Sequence, residues 1–234
     1  MTILRRLRGP FVLAASLPLL GGAGTCGILF DLWSWDEITD HAERVVVDVD
    51  RGALEITAYD RGNIWLQRHV YSFEKRIAKA LYGVEDGEFE LTFHCGGRGD
   101  AVCFADHWLE IPTAMPVEVT LDEGHIALIG LAGDFTADVG DVPLDGADLG
   151  SPYFEVRGDA MHEIDLTWTA RPQSVTIDVD RADVVVALPA GSYVCDLDVE
   201  DDPQIDPTIV CDDAADASLS LVVRSGSLQL DATP

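Results

Sequence analysis

Apolar and polar residues alternate along most of the chain after Arg44, in short runs separated by Gly, Asp or Pro. A period of two places the apolar side chains on one face of a β-strand and the polar ones on the other. The pattern therefore predicts an all-β protein whose strands each have one buried and one solvated face. The positions predicted to face inward include Leu54, Ile56, Ile64, Leu66, Ile164, Leu166, Trp168, Val184, Val186, Leu188, Leu228 and Leu230.

A unit made of a turn followed by a strand recurs along the chain. Its first apolar residue is Leu54, Ile64, Ile126, Val142, Ile164, Val184 or Leu228. One such unit cannot bury its apolar face alone, so the repeat predicts rungs that stack on one another as a β-solenoid. A β-sandwich also shows short strands with turn signals every ~8–12 residues, and spacing alone does not decide between the two folds.

Several turns share a degenerate motif. It reads DEGHI at Asp122–Ile126, DVGDV at Asp138–Val142, VDRADV at Val179–Val184 and RSGSL at Arg224–Leu228; further segments of the same kind are IPTAMPVEV (Ile111–Val119), GLAGDF (Gly130–Phe135) and LPAGSY (Leu188–Tyr193). From Phe93 to Leu230 the chain resembles the bacterial putative adhesin domain of unknown function, whose members repeat a Thr-Gly-Ser-Gly-Asp-Val turn between strands. The resemblance implies a β-solenoid and a role in adhesion, and it implies no particular ligand.

One segment departs from the alternation. In SFEKRIAKALY (Ser72–Tyr82), Phe73, Ile77 and Leu81 are spaced four apart, which is the spacing of one helical face. The segment begins with Ser, which is a favourable N-cap. We predict one short helical insertion there, covering the side of the solenoid.

The first 25 residues have the features of an export signal. Three Arg precede an apolar stretch from Phe11 to Leu20, and small residues follow. The rival interpretation is an uncleaved anchor, because Pro10 to Phe30 is an uncharged run long enough to span a bilayer. Both predict a domain outside the cytoplasm, in the cell envelope, the periplasm or the extracellular space. We divide the chain into a signal or anchor (1–25), a linker (26–43) and a solenoid domain (44–231).

Four of the five cysteines form two local pairs. Cys95 and Cys103 flank a Gly-containing turn, and Cys195 and Cys211 flank an acidic loop that contains Pro. In an exported protein this spacing predicts two disulfides, Cys95 with Cys103 and Cys195 with Cys211. Free buried thiols would be the interpretation for a cytosolic protein, which the export signal argues against.

Cys26 is the cysteine without a partner. It follows an apolar stretch and a run of small residues. Bacterial lipoproteins are cleaved just before such a Cys, which then carries the lipid, so Cys26 is the candidate lipidation site. Thr25 directly before it is unusual for a lipoprotein signal, and ordinary cleavage near Ala23 or an uncleaved anchor are the other outcomes.

The charge of the chain limits its partners. There are 42 acidic against 15 basic residues, which gives a formal net charge of −27. Such a surface repels nucleic acids and anionic lipids, and this excludes nucleic-acid binding. We expect an unknown ligand of the envelope or cell surface, and membrane contact only through the N-terminal segment or its lipid.

We expect no cofactor, and calcium is the one weak candidate. It needs six to eight converging oxygens, whereas alternate carboxylates on a strand diverge into solvent. The acidic runs considered are Asp48 and Asp50; Asp178, Asp180 and Asp183; and Asp196, Asp198, Glu200, Asp201 and Asp202. A solvated surface is the default interpretation for all three, and the third run is the best candidate for calcium. A zinc site of His94, Cys95, Cys103 and His107 has suitable ligand types, but its spacing fits no common finger and an oxidising compartment favours disulfides.

The sequence carries no recognisable catalytic motif. G-x-S-x-G, H-E-x-x-H and a glycine-rich phosphate loop are absent, so no catalytic residue is assigned. We predict a non-catalytic β-solenoid that binds or scaffolds at the cell envelope or surface. The alternative is a carbohydrate-active enzyme with paired carboxylates on the solenoid face, although no pair is singled out.

Overall fold

The computed structural model describes residues 30–72, 78–95, 103–159 and 163–233. Within these ranges all regular structure is β-strand, which confirms the all-β prediction. In the same ranges there is no helix long and apolar enough to cross a bilayer. The strands are β1 (Phe30–Ile38), β2 (Arg44–Tyr59), β3 (Ile64–Ser72), β4 (Ala78–Glu85), β5 (Glu88–Cys95), β6 (Cys103–Pro112), β7 (Val117–Ile129), β8 (Phe135–Asp141), β9 (Leu144–Leu149), β10 (Tyr153–Gly158), β11 (Glu163–Trp168), β12 (Ser174–Val179), β13 (Ala182–Pro189), β14 (Gly191–Val199), β15 (Gln204–Ile205), β16 (Ile209–Cys211), β17 (Ser218–Val223) and β18 (Gly226–Thr233).

Hydrogen bonds join the strands into two ladders that are mostly parallel. The first ladder runs through β4, β5, the first half of β2, the first half of β7, β8, β10, β12, β17, β14 and β16. The second ladder runs through β1, β3, β6, the second half of β2, the second half of β7, β9, β11, β13, β18 and β15. We call the end with β1, β3 and β4 the N-terminal end, and the end with β14, β15 and β16 the C-terminal end.

The layers follow chain order in the middle of the stack and not at its ends. β7, which runs through both ladders, pairs in parallel with β8 and β9, and each strand from β8 through β11 pairs in parallel with the next but one along the chain. Near the N-terminal end, β2 lies between β7 and the later pair β5 and β6. Near the C-terminal end, β17 lies between β12 and β14, and β18 lies between β13 and β15. These parallel pairings differ from the antiparallel Greek-key sheets of a β-sandwich.

Both ladders bury alternate residues in one hydrophobic core. Val, Ile and Leu fill most of the inward positions together with several aromatic residues, and the β-branched and aromatic ones pack well against neighbours on a pleated sheet. Every position predicted to face inward is buried, from Leu54 on β2 to Leu230 on β18. The alternation in the sequence therefore identified the core side of these strands.

Two glycines allow β2 and β7 to turn from one ladder into the other. Gly52 and Gly124 are in register and have φ of 138° and 143°. A Cβ on Gly124 would lie 1.8 Å from the carbonyl oxygen of Gly52, and a Cβ on Gly52 would lie 1.8 Å from that of Ala105. Glycine is required at both positions because the φ values favour it and the stacked backbones leave no room for a side chain.

The predicted helical insertion over Ser72–Tyr82 is wrong. Ser72 ends β3, and Ala78–Glu85 forms β4, which pairs antiparallel with β5. Leu81 is 66% exposed while the adjacent Tyr82 is half-buried, which is the alternation of a strand. Pairing with β5 overrides the helix-like spacing, since tertiary context decides between weak local preferences. Phe73 and Ile77, which supported the helix, lie outside the described residues.

Part of the predicted linker is also a strand. Phe30–Ile38 forms β1, antiparallel to β3, and β3 is in turn antiparallel to β6. These three strands make an antiparallel sheet at the N-terminal end of a ladder that is otherwise parallel. The signal or anchor segment (1–25) and Cys26 lie outside the described residues.

Candidate functional site

The antiparallel sheet of β1, β3 and β6 carries a concentration of aromatic residues on its outer side. Alternate residues of β3 and β6, such as Leu66 and Leu109, are buried in the core, so the residues between them face outward. Four of the five Trp of the chain occupy such outward positions. We call this surface the aromatic face, and it consists of Trp33, Trp35, Trp65, His69, Tyr71, Phe104 and Trp108.

Strand register arranges the aromatic face in rows. In one row Gln67 has Trp35 on one side and Trp108 on the other. In the next row Trp65 lies between Glu37 and Glu110. Directly opposite side chains on antiparallel strands are ~4.5–5.5 Å apart at Cβ, so members of one row are neighbours.

Several rings of the aromatic face stack on one another. The ring centroids of Trp33 and His69 are 4.1 Å apart with an interplanar angle of 8°, and those of Trp33 and Trp108 are 5.7 Å apart at 13°. His69 is held further by Asp31, with Nε2 and Oδ1 2.7 Å apart. Trp33 and Trp35 nevertheless remain 52% and 71% exposed. Stacking therefore orders the rings while leaving a large apolar surface in contact with solvent.

The inner side of the same strands, otherwise apolar, carries one polar cluster that ties the two ladders together. Arg68 Nε donates a hydrogen bond to Ser34 Oγ at 2.7 Å, and its guanidinium lies 4.5 Å from the ring centroid of Tyr82. The Tyr82 hydroxyl donates to Asp36 Oδ2 at 2.7 Å. Tyr82 belongs to β4 in the first ladder, whereas the other three residues belong to the second. The network therefore closes the N-terminal end of the core and fixes the strands that carry the aromatic face.

Burial shifts the acid–base equilibria of this network. It raises the pKa of Tyr82 to about 12, and the hydrogen bond to Asp36 adds to the increase. It lowers the pKa of Arg68. Both shifts leave the groups in their usual forms at neutral pH, a protonated phenol and a charged guanidinium.

His107 is a buried titratable group beside this network, and it faces Arg68 across the β3–β6 pair. It is fully buried, and neither ring nitrogen has a well-aligned hydrogen-bond partner among the described residues. Burial and then the charge of Arg68 lower the pKa of His107 to about 4, while the nearby backbone of Ala105 opposes the shift. The imidazole is therefore neutral at pH 7.

The predicted disulfide cysteines lie near the two ends of the stack. The structure bonds Cys95 to Cys103 and Cys195 to Cys211. The first bond joins the end of β5 to the start of β6, and the second joins β14 to β16. Each bond thus fixes strands in a layer where chain order is broken, and neither contributes to the aromatic face.

The acidic runs considered for calcium lie apart on the surface. Asp50 and Asp48 contact the two ring nitrogens of His94 at 2.8 and 3.4 Å, and the bond to Asp50 raises the pKa of this His. Asp178 and Asp180 form ion pairs with Arg224 at 2.8 and 2.9 Å. The side chains of Asp196, Asp198, Glu200, Asp201 and Asp202 are exposed. The described residues include no group of three or more His, Cys, Asp or Glu that could hold a metal ion.

The aromatic face was missed by the sequence reasoning. Its residues come from three segments that are far apart in the chain, around Trp33, Trp65 and Trp108. A signal was present, because in each strand the Trp stands at an outward position where the alternation calls for a polar residue. Large apolar residues at solvated positions of a strand indicate a surface that binds something.

No protein-family model matches the chain, and no curated protein matches it. Solved structures do match. A putative cell adhesion protein from Clostridium sporogenes is 13% identical at a TM-score of 0.45, covering 86% of this chain and 100% of its own. A putative adhesin from Bacteroides fragilis is 12% identical at a TM-score of 0.39, covering 87% and 97%. A putative lipid binding protein from Parabacteroides distasonis is 8% identical at 0.29, covering 84% and 96%. Likenesses this distant, with TM-scores below 0.5, carry no argument about ligand or mechanism.

Proposed function

We propose that this protein is a non-catalytic β-solenoid exposed at the cell envelope or surface, where it works as an adhesin or binding scaffold. The stack of parallel layers supports the solenoid interpretation, because each layer buries its apolar face against its neighbours. The export features of residues 1–25 support a location outside the cytoplasm. Lipidation at Cys26, or an uncleaved anchor, would keep the domain at the membrane.

The observation that carries the proposal is the aromatic face. Exposed apolar patches with a polar rim mark interaction sites, and Trp is among the residues that dominate binding energy. The polar network of Arg68, Tyr82 and Asp36 holds the strands beneath these rings. A rigid surface loses little conformational entropy on binding, which favours recognition.

Retention of the purified, fluorescently labelled protein on a panel of intact bacterial and animal cells tests this function. Trp35→Ala should reduce the bound fraction about fivefold or more on cells that retain the parent, because it removes the most exposed ring of the aromatic face. Leu81→Ala is the matched control, since Leu81 is 66% exposed, close to the 71% of Trp35, but lies on β4 in the other ladder. Equal retention of the parent and the Trp35 variant would contradict binding through the aromatic face.

A further inference from the structure

The row around Trp65 combines an aromatic ring with two carboxylates. Glu37 on β1 and Glu110 on β6 are the cross-strand neighbours of Trp65 on either side. Neighbouring strands lie ~4.8 Å apart, so the two glutamates are separated by about 10 Å at Cα with the indole between them. Trp35 and Trp108 occupy the next row. The site therefore offers π-faces and negative charge within the dimensions of a small molecule.

This combination is suited to a cation. The face of an aromatic ring has a negative potential that attracts cations, most strongly for Trp. Elsewhere in the protein, arginines lie over tyrosines, with Arg61 over Tyr59 and Arg171 over Tyr193 at 4.5 and 5.0 Å from the ring centroids. Within the described ranges, no Lys or Arg lies over any Trp of the aromatic face.

The carboxylates of the row are not neutralised by the protein. Glu37 accepts a hydrogen bond of 2.8 Å from the neutral amide of Asn63, and Glu110 has no ion-pair partner in the described part of the chain. The net charge of the chain is −27. Charge complementarity therefore favours a positively charged ligand and disfavours acidic glycans and phosphates.

We propose that the aromatic face binds a soluble organic cation with a quaternary ammonium group, of the size of choline, over Trp65 and between Glu37 and Glu110. A primary ammonium is strongly hydrated and costly to desolvate. A quaternary ammonium has no N–H groups to satisfy, and its methyl groups can pack against the indole rings. The inference rests on the aromatic face being the binding surface, and it adds the class of ligand.

Calorimetric titration of the full chain with choline and with 3,3-dimethylbutan-1-ol separates charge from shape, because the alcohol is the uncharged isostere of choline. Choline should bind at least about fivefold more tightly, since only it gains the cation–π and carboxylate attraction. Raising sodium chloride to 0.5 M should weaken choline binding, because the attraction is screened. Equal binding of the two compounds would overturn the proposal.

A double variant, Glu37→Gln with Glu110→Gln, removes both charges and keeps the size of the side chains. It should lose the preference for choline over the alcohol, and Trp65→Leu should lose choline binding. Asp165→Asn is the matched control, since Asp165 is an exposed carboxylate on β11 of the same ladder and its loss should change nothing. Melting temperatures close to that of the parent would show that each variant is folded.

Retention of the choline preference in the double variant would overturn the proposal. Binding of a neutral sugar such as cellobiose, lost in Trp35→Ala, together with no response to choline, would also overturn it while leaving the aromatic face as the binding surface. If instead Trp35→Ala changed neither cell retention nor any titration, the proposed function itself would fail.

Discussion

Each end of the stack carries one disulfide, and the two ends differ in what else closes the shared core. At the N-terminal end, antiparallel strands are held across the ladders by hydrogen bonds of Arg68, Tyr82 and Asp36. At the C-terminal end, β14 is covered by the very short β16, and a disulfide joins Cys195 to Cys211. A side-chain network holds several strands in fixed positions, whereas a disulfide joins only two points. The network joins β1, β3 and β4 beneath the aromatic face, in addition to the bond between Cys95 and Cys103.

The outer surfaces of the two ends differ accordingly. The N-terminal end carries the stacked rings of the aromatic face, and the C-terminal end carries exposed carboxylates such as Asp196 and Asp198. Acidic side chains on a strand keep it soluble and need no ordered support. Under the proposed function, we expect binding at the N-terminal end, where the stacked rings lie.

If the two ends share one hydrophobic core, a destabilising substitution between them should lower the stability of both ends. Val186 on β13 is fully buried. Val186→Asp places an unpaired charge in the core and should lower the free energy of unfolding by about 4 kcal/mol. Urea unfolding followed by Trp fluorescence, which reports mainly on the N-terminal end, and by circular dichroism should show one shared transition at a lower midpoint. Two separate transitions would mean that the ends are independent, and an unchanged midpoint would contradict the inward position of Val186.

Removal of each disulfide compares the ends directly. The bonded cysteines are 16 residues apart at the C-terminal end and 8 apart at the N-terminal end. Loop entropy alone gives losses of about 3 and about 2.5 kcal/mol for the paired Cys→Ser variants. Chemical denaturation of the two variants measures both losses. A far larger loss for Cys95 and Cys103 would show that the disulfide, rather than the polar network, holds the N-terminal end.

Acid should weaken the N-terminal end through His107. Its pKa is about 4 in the folded protein against 6.5 ordinarily, so between these values the unfolded chain binds a proton that the folded chain does not. The contribution of His107 to the free energy of unfolding is fully present above pH 6.5. It falls as the pH drops, by about 2 kcal/mol between pH 7.5 and 4.5. Denaturant unfolding of parent and His107→Leu at both pH values should show a smaller loss in the variant.

The neighbouring Phe93 provides the control for that experiment. Its ring centroid is 6.1 Å from that of His107, and it carries no titratable group. Phe93→Leu should lower stability by about 1 kcal/mol at both pH values and leave the pH dependence as in the parent. If the pH dependence were identical in the parent and His107→Leu, His107 would not be the source of the acid sensitivity. The two ends would then not differ in their response to acid.

The sequence was sufficient for the features that depend on local alternation. The burial of Val184 and Val186 could be predicted, because a period of two in a strand places alternate side chains on the same face. The structure around Leu81 was predicted wrongly, because the spacing of Leu81 from Ile77 also fits a helix. Pairing with β5 makes this segment a strand. The aromatic face could not be assembled from the sequence, because the distance between Trp33, Trp65 and Trp108 in space depends on strand order. The strand order departs from chain order here, because β5 and β6 follow β2 in the chain but pair with β2 on its N-terminal-end side.

The position of the last two strands affects how the molecule would respond to a pulling force. A stack that ends with its final strand can be peeled one layer at a time from that end. Here β17 has six-residue ladders to both β12 and β14, and β18 is bonded to β13 along its full length and to β15. A load applied at Thr233 would therefore have to shear bonds on two sides of an interior layer at once. This strand order resists unravelling by a load at Thr233, even though the outermost strands β15 and β16 are short.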